Sequence, residues 1–204
     1  MQKGDSICVV GDMGMFWLAI MQLMDGYSID NIDDYTKSFI IAPYPKLKES
    51  FLLAKSCAIT SCMDSSDGVI GCLYELALLN NLSIHILDSQ LNPNQKLQRY
   101  CEKKGVDYRN YMLSFGGWEL VFSCNHSDLD ELKSLFSRNN LNFSVIGYAD
   151  DPMKEKVLLH KQDRIYEIND FSSKRFDQAS MFSFGLEPTL MHLGEPQFKE
   201  ICYN

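Results

Sequence analysis

Residues 56–87 constrain the fold more than any other stretch, because the hydrophobic period changes twice along them. A strand-like run, Cys57-Ala58-Ile59-Thr60-Ser61-Cys62-Met63, ends at Asp64-Ser65-Ser66-Asp67-Gly68. Val69, Ile70, Leu73, Leu76 and Ala77 then follow one face of a helix that reaches about Asn80, and residues 82–87 resume as a strand. Strand, loop, helix and strand in that order call for a sheet against which the helix buries its apolar face.

The rest of the chain extends the same pattern. Residues 6–10 (Ser-Ile-Cys-Val-Val) read as a strand, Gly11-Asp12-Met13-Gly14 as a tight turn, and residues 15–24 as a helix. A second helix is expected over residues 30–42, with Asp33 and Asp34 in its first turn and Pro43 and Pro45 stopping it. Residues 46–55 form another, turning Leu47, Phe51, Leu52 and Leu53 inward and leaving Lys46, Lys48 and Glu49 to solvent. A polar helix over residues 93–104 buries Leu97 and Tyr100 and ends at Gly105. Residues 118–124 read as a strand after Gly116-Gly117, and Ser127 as the N-cap of a helix carrying Leu129, Leu132, Leu135 and Phe136. Residues 141–148 make another strand, and residues 156–160 and 164–168 pair as a hairpin around Lys161-Gln162-Asp163. Beyond Asp170 aromatic residues recur without a period, so an irregular extension is expected there.

Composition narrows the function. A chain of 204 residues, 46% apolar, supports one sizeable core, as a single domain or a domain with an appendage. The net charge of −8 argues against generic nucleic-acid binding, which draws on clustered Lys and Arg. No apolar run approaches the roughly 20 residues that span a bilayer, so no membrane partner is expected. Met1-Gln2-Lys3-Gly4-Asp5 lacks the apolar core of a secretory signal, which points to a cytoplasmic protein. The 7 cysteines never form a C-x-x-C pair and sit mostly among aliphatic residues, as reduced, buried small hydrophobes do.

Three short stretches carry candidate chemistry. In Asp64-Ser65-Ser66-Asp67-Gly68 two carboxylates at a strand-to-helix junction suit one hard cation bound to phosphates, such as Mg²⁺. The same letters equally serve a strand end and a helix cap. Gly11-Asp12-Met13-Gly14 lacks both G-x-G-x-x-G and Gly-Lys-Ser/Thr, and is read as a turn without a ligand. Gly116-Gly117-Trp118-Glu119 frees the backbone beside an aromatic ring and a carboxylate, as a ligand cradle or a strand-entry bulge would. His85, His126, His160 and His192 lack ligand spacing and are read as strand or surface residues.

Taken in order, Gly4-Asp5-Ser6-Ile7-Cys8-Val9-Val10-Gly11, Pro43-Tyr44-Pro45-Lys46-Leu47, Asp64-Ser65-Ser66-Asp67-Gly68, Gly116-Gly117-Trp118-Glu119-Leu120-Val121-Phe122 and Val145-Ile146-Gly147 resemble a known series. It is that of the C-terminal domain of thiamine-monophosphate kinases, within the superfamily of aminoimidazole-ribonucleotide (AIR) synthases, selenophosphate synthetases and the hydrogenase-maturation dehydratase. The resemblance implies an α+β fold: a mostly antiparallel sheet layered with helices, with some kinship to ferredoxin-like topology. It places an AIR synthase-related C-terminal domain at residues 4–168 and a C-terminal extension at 169–204.

In that family the N-terminal domain builds the dimer and holds most nucleotide and magnesium ligands, so the resemblance implies an N-terminal ATP-binding domain, absent from this chain, as partner in cis or in trans. A homodimer is left open, and a small-molecule phosphate ligand is expected. The family's Asp-x-Ser-Asp motif falls on Asp64, Ser66 and Asp67, implying that the two aspartates bind Mg²⁺ and Ser66 contacts ATP. The family's Gly-Gly-Glu-Asp-Tyr-Glu-Leu is shortened here, with Gly116, Gly117, Trp118 and Glu119 left as the substrate-binding candidates. The family's closing aromatic element is missing, and Phe176, Phe182, Phe184 and His192 stand in its place. The implied activity is ATP-dependent phosphoryl transfer to thiamine phosphate, absent from this chain alone. The alternative is a non-catalytic ligand-binding or interaction module on the same fold.

Overall fold

The computed structural model describes residues 1–169, 191, 193, 195 and 197–201. Its first strand, β1 (Ser6–Val10), is buried at every position: Ile7 and Val9 enter one core, Cys8 and Val10 the other. A strand covered on both faces reads as a continuous apolar run, which is why residues 7–10 show no alternation.

Around it the chain lays down α1 (Met15–Met24), α2 (Asp34–Ile41), α3 (Leu47–Ser56), β2 (Ile59–Asp64), α4 (Val69–Asn80), β3 (Ser83–Leu87), α5 (Gln95–Lys104), α6 (Tyr108–Leu113), β4 (Leu120–Cys124), α7 (Leu129–Arg138), β5 (Ser144–Asp150), β6 (Val157–Lys161), β7 (Arg164–Ile168) and β8 (Phe198–Ile201). The sheet order is β2-β4-β1-β5-β3-β6-β7-β8, antiparallel throughout except for the β3–β6 pair. On one face α1, α4, α5 and α6 pack Trp17, Leu18, Ile70, Leu73, Leu97 and Met112 against Ile84 and Ile86 of β3. On the other, α3 and α7 pack Leu52, Leu53, Leu132 and Phe136 against Cys8, Val10, Phe122 and Cys124. This is the α+β arrangement expected, a mostly antiparallel sheet layered with helices.

Local chemistry sets the helix boundaries. The helix expected over residues 30–42 is divided, because two side chains cap two separate starts. Ser28 accepts from the Asp30 amide to open a 3-10 turn at Ile29–Asn31, and Asp33 accepts from the Thr36 amide at 3.2 Å to open α2. Ser127 is not the N-cap of α7; Asn125 accepts from the Ser127 amide to open a 3-10 turn, His126–Asp128, that leads into the helix. Gly105 ends α5 at φ 71°, as expected. Helix α6 escaped the sequence reading because six residues are too few to display a period, although Tyr111, Met112 and Leu113 are buried.

The face of α3 is a second correction. Leu47 and Phe51 are 72% and 66% exposed, whereas Glu49 is 5% exposed. Glu49, Leu52, Leu53 and Ser56 follow i, i+3, i+4, i+7 spacing and form the inward stripe, so a carboxylate took the place assigned to Leu47 and Phe51.

The hairpin of β6 and β7 forms as expected, turning at Gln162 with φ 54°. The extension from residue 169 is not wholly irregular: β8 pairs with β7. Phe176, Phe182, Phe184, His192 and Cys202 lie outside the described residues. Cys8, Cys72, Cys101 and Cys124 are buried free thiols as expected, while Cys57 and Cys62 are exposed. Among the described residues no helix is long and apolar enough to cross a membrane.

The pairing of β5 with β3 rests on a glycine. A Cβ on Gly147 would lie 2.0 Å from the carbonyl oxygen of His85, a backbone atom held in the sheet. Gly147→Ala is therefore expected to destabilise the fold by about 1–3 kcal/mol, the usual range for overpacking. Urea unfolding checks this, and a midpoint equal to that of the parent protein would refute it.

Candidate functional site

Antiparallel pairing decides which loops meet. Strand β4 lies between β1 and β2, with Leu120 opposite both Val10 and Asp64, and Ser144 opens β5 beside Val9. The ends of β1 and β2 and the starts of β4 and β5 therefore share one edge of the domain. Gly11-Asp12, Asp64–Gly68 and Gly116–Glu119, separate in sequence, meet there.

The acidic loop and the glycine loop are fastened together by Ser65, which the sequence reading passed over. Ser65 Oγ donates to Glu119 Oε2 at 2.5 Å, the Glu119 amide donates to Ser65 Oγ at 2.8 Å, and the Ser65 amide donates to the Glu119 carbonyl at 2.9 Å. The two residues stand 54 positions apart, so no local pattern announces the pair. Both are buried. Burial pushes the Glu119 carboxyl above the usual carboxylate range, against the opposing pull of Ser65, the backbone and Lys46.

Glycines make this packing possible. A Cβ on Gly117 would lie 1.7 Å from Glu119 Oε1, and one on Gly11 would lie 2.8 Å from Glu119 Cγ and 3.4 Å from Lys46 Cε. Gly116, at φ 109°, presses on Phe16, and Trp118 takes a left-handed φ of 53° with half its surface exposed. Of the four residues expected at substrate, Trp118 thus faces outward while Glu119 is locked inside.

Asp64 and Asp67 are exposed and flank the half-buried Ser66. The three line a small pocket of about 130 Å³ with Met63, Gly71, Cys72 and Glu75. Asp64 Oδ2 accepts from the Ser66 amide at 3.3 Å, and its carbonyl accepts from Cys72 Sγ at 2.9 Å. Burial pushes the Cys72 thiol up to about 12, so it is no nucleophile near neutral pH. No group of three or more His, Cys, Asp or Glu side chains placed to hold a metal occurs among the described residues. Two accessible carboxylates fit the sparse protein ligation of Mg²⁺, which takes its remaining oxygens from water and phosphates.

A larger cleft of about 830 Å³ opens at the same edge, lined by the Gly11-Asp12 turn, α2, the start of α3, Gly117 and the segment after α7. Asp12 Oδ2 accepts from Tyr35 Oη at 2.7 Å and from Asn94 Nδ2 at 2.9 Å, tying α2 to the loop before α5. The turn at Gly11, read as ligand-free, therefore lines this cleft. Gly14, at φ 83° ahead of α1, is also needed for packing, since a Cβ there would meet Leu97 Cδ2 at 2.6 Å.

The family model described as AIR synthase related protein, C-terminal domain, matches residues 2–160. The chain is 29% identical to a thiamine-monophosphate kinase of Buchnera aphidicola subsp. Acyrthosiphon pisum over 156 residues, 71% of this chain and 45% of that protein. It is 26% identical to a putative hydrogenase expression/formation protein of Methanocaldococcus jannaschii over 161 residues, 77% of this chain and 45% of that protein. The crystal structure of a thiamine-monophosphate kinase from Stenotrophomonas maltophilia superposes with a TM-score of 0.68 at 22% identity, covering 78% of this chain and 50% of that one. The chain thus spans about half the length of the relatives it matches.

The Ser65–Glu119 pair yields a stability test with a defined sign. A carboxyl whose folded pKa is raised contributes stability at low pH that is lost as pH rises from the ordinary carboxylate range through the folded value. Glu119→Gln removes this dependence, so the variant gains on the parent protein as pH rises; parallel pH profiles in urea unfolding would refute it. Ser65→Ala leaves the buried carboxyl short of a donor and is expected to cost roughly 1–3 kcal/mol.

Proposed function

Since this chain belongs to the AIR synthase related C-terminal-domain family, we propose that it is the C-terminal domain of a thiamine-monophosphate kinase-like, ATP-dependent phosphotransferase in the cytoplasm, with an N-terminal ATP-binding domain supplied in cis or in trans. Residues 4–168 form the family domain and 169–204 its extension. One observation carries this reading: the Ser65–Glu119 bonds hold the acidic loop against the glycine loop at a single edge, where Asp64 and Asp67 are exposed. Similarity to the Buchnera aphidicola kinase supports the choice of branch.

In this reading Asp64 and Asp67 hold Mg²⁺ on the phosphates of ATP, and Ser66 contacts the nucleotide. Bound there, Mg²⁺ supplies charge neutralisation on the phosphate oxygens. Gly116, Gly117 and Trp118 meet the acceptor through backbone and ring. Glu119, sealed behind Gly117, positions that loop through Ser65. In the reaction an acceptor phosphate oxygen attacks the γ-phosphorus in line, the bond to the bridging oxygen breaks, and ADP departs. The domain's contribution is positioning and electrostatics, and two carboxylates are too few to hold the nucleotide complex unaided.

A second reading, a family member acting on another acceptor, is favoured by the match to the hydrogenase expression/formation protein and by Trp118 in a shortened glycine loop. Competition between thiamine monophosphate and other acceptors separates the two.

The expected behaviour is specific. The 204-residue chain alone transfers no phosphoryl group from ATP to thiamine monophosphate. With an N-terminal ATP-binding domain supplied, Asp64→Ala or Asp67→Ala weakens Mg²⁺-dependent ATP binding by about tenfold, roughly 1.4 kcal/mol. Calorimetric titration with and without Mg²⁺ measures this, and binding unaltered by both substitutions would sink the catalytic reading.

A further inference from the structure

Strand β6 reaches the rest of the sheet through β3 alone, and β7 and β8 follow it outward, so β6-β7-β8 hangs on the parallel β3–β6 ladder. Parallel pairing is slightly weaker per residue than antiparallel pairing. Two histidines cross that ladder on the face turned away from Ile84 and Ile86. His85 of β3 and His160 of β6 bring Nδ1 and Nε2 within 2.7 Å of each other. Their ring centres are 5.0 Å apart, so the contact is end-on, each nitrogen aimed at the other.

Such a contact holds with one proton between the nitrogens and fails with two. In a neutral pair one ring donates and the other accepts. A first added proton keeps that bond but puts an N–H on both outward nitrogens, and one of them, His85 Nε2, is buried without a hydrogen-bond partner. A second makes donors of both facing nitrogens, so the bond is lost and two like charges are left in contact. His85 is 6% exposed, with little water to take up the charge.

The titratable and charged groups around the pair, among the described residues, do not offset this. From β5 the Tyr148 ring stacks on His85, and Asp150, which draws His85 toward protonation, is already paired with Lys3. At the end of β3, Asp88 is held by Arg109. Lys156 before β6 and Lys161 at its end add positive charge. From β7, Glu167 stands opposite Leu158, the ladder neighbour of His85, and from β8 Lys199 stands opposite Glu167. Burial holds both imidazoles below the ordinary histidine range, and His160 adds to the effect on His85. Their stabilisation is therefore present above that range and lost as pH falls through the lowered values.

We propose that the His85–His160 bond is a proton-operated latch on the β3–β6 join, closed while a single proton bridges the rings and released in acid, loosening β6-β7-β8 from β3 while the rest of the sheet holds. Because Val157, Leu159 and Ile168 anchor the unit in the core on the other face, release is a local opening. Neither histidine lines the cleft or the acidic pocket, so the latch works whether or not a ligand is bound there.

Amide hydrogen exchange of the full chain, corrected for its intrinsic pH dependence, tests this between about pH 7.5 and about pH 5. The expected result is about a tenfold loss of protection at β6 and β7 amides, the scale of one pK unit, with β1 and β4 amides unchanged. His85→Phe keeps a ring on Tyr148 but removes its nitrogens, and the acid-induced loss falls to about twofold or less. In His160→Gln, ring-nitrogen NMR finds His85 titrating at higher pH than in the parent protein, because no second imidazole opposes its charge. Protection at β6 that is constant down to pH 5, the same loss in His85→Phe, an equal loss in β1 and β4, or an unmoved His85 titration in His160→Gln would each overturn the proposal. Should His85→Phe fail to fold, the His85 titration in His160→Gln decides.

Discussion

The seating of β4 between β1 and β2 is the constraint from which the rest follows. Both of its hydrogen-bonding edges are used in antiparallel register, with Leu120 opposite Val10 on one side and Asp64 on the other. A slip of one residue would exchange Val121 with Phe122 and turn the apolar residues of both cores to the wrong faces. The register protected by that burial also sets Ser65 beside Glu119, so the hydrophobic effect positions a polar contact that is itself too small to organise the sheet.

The edge of the domain where these strands end is rich in oxygen ligands and poor in free cations. Asp64, Asp67, Asp12, Glu49 and Glu119 all approach it, while Lys46 is the only lysine or arginine among the residues lining the cleft. The carboxylates differ in environment and hence in use. Asp64 and Asp67 are exposed; Glu119 is sealed and fastened to Ser65; Asp12 is a brace between α2 and the loop before α5; Glu49 is buried with no hydrogen-bond partner to its Oε2. Exposure and hydrogen bonding, rather than residue type, set the five apart.

A second convergence lies on the sheet face beyond α3 and α7. The parallel β3–β6 pair brings His85 Nδ1 within 2.7 Å of His160 Nε2, and the His85 ring stacks on Tyr148 with centroids 5.0 Å apart. Burial depresses the pKa of both imidazoles, so neutral rings are favoured and protonation opposes the fold. Four scattered histidines offered no hint of this, because a pair 75 residues apart is visible only once two strands share a ladder.

The sequence by itself determined the strand-loop-helix-strand unit, the order of most elements, the hairpin of β6 and β7, and the acidic and glycine loops as places of interest. These are legible because alternation, helical period, caps and turn glycines act over a few residues. Tertiary structure alone decided the inward face of α3, where Glu49 displaced Leu47 and Phe51 from the buried stripe, since two amphipathic solutions of similar period compete and only docking against α7 and the sheet selects one. It alone paired Ser65 with Glu119 and His85 with His160, and gathered Gly11, Glu49 and Gly117 around one cleft. Contacts of that kind depend on strand register and burial across long separations, and a linear pattern carries no record of which distant partner a side chain will meet.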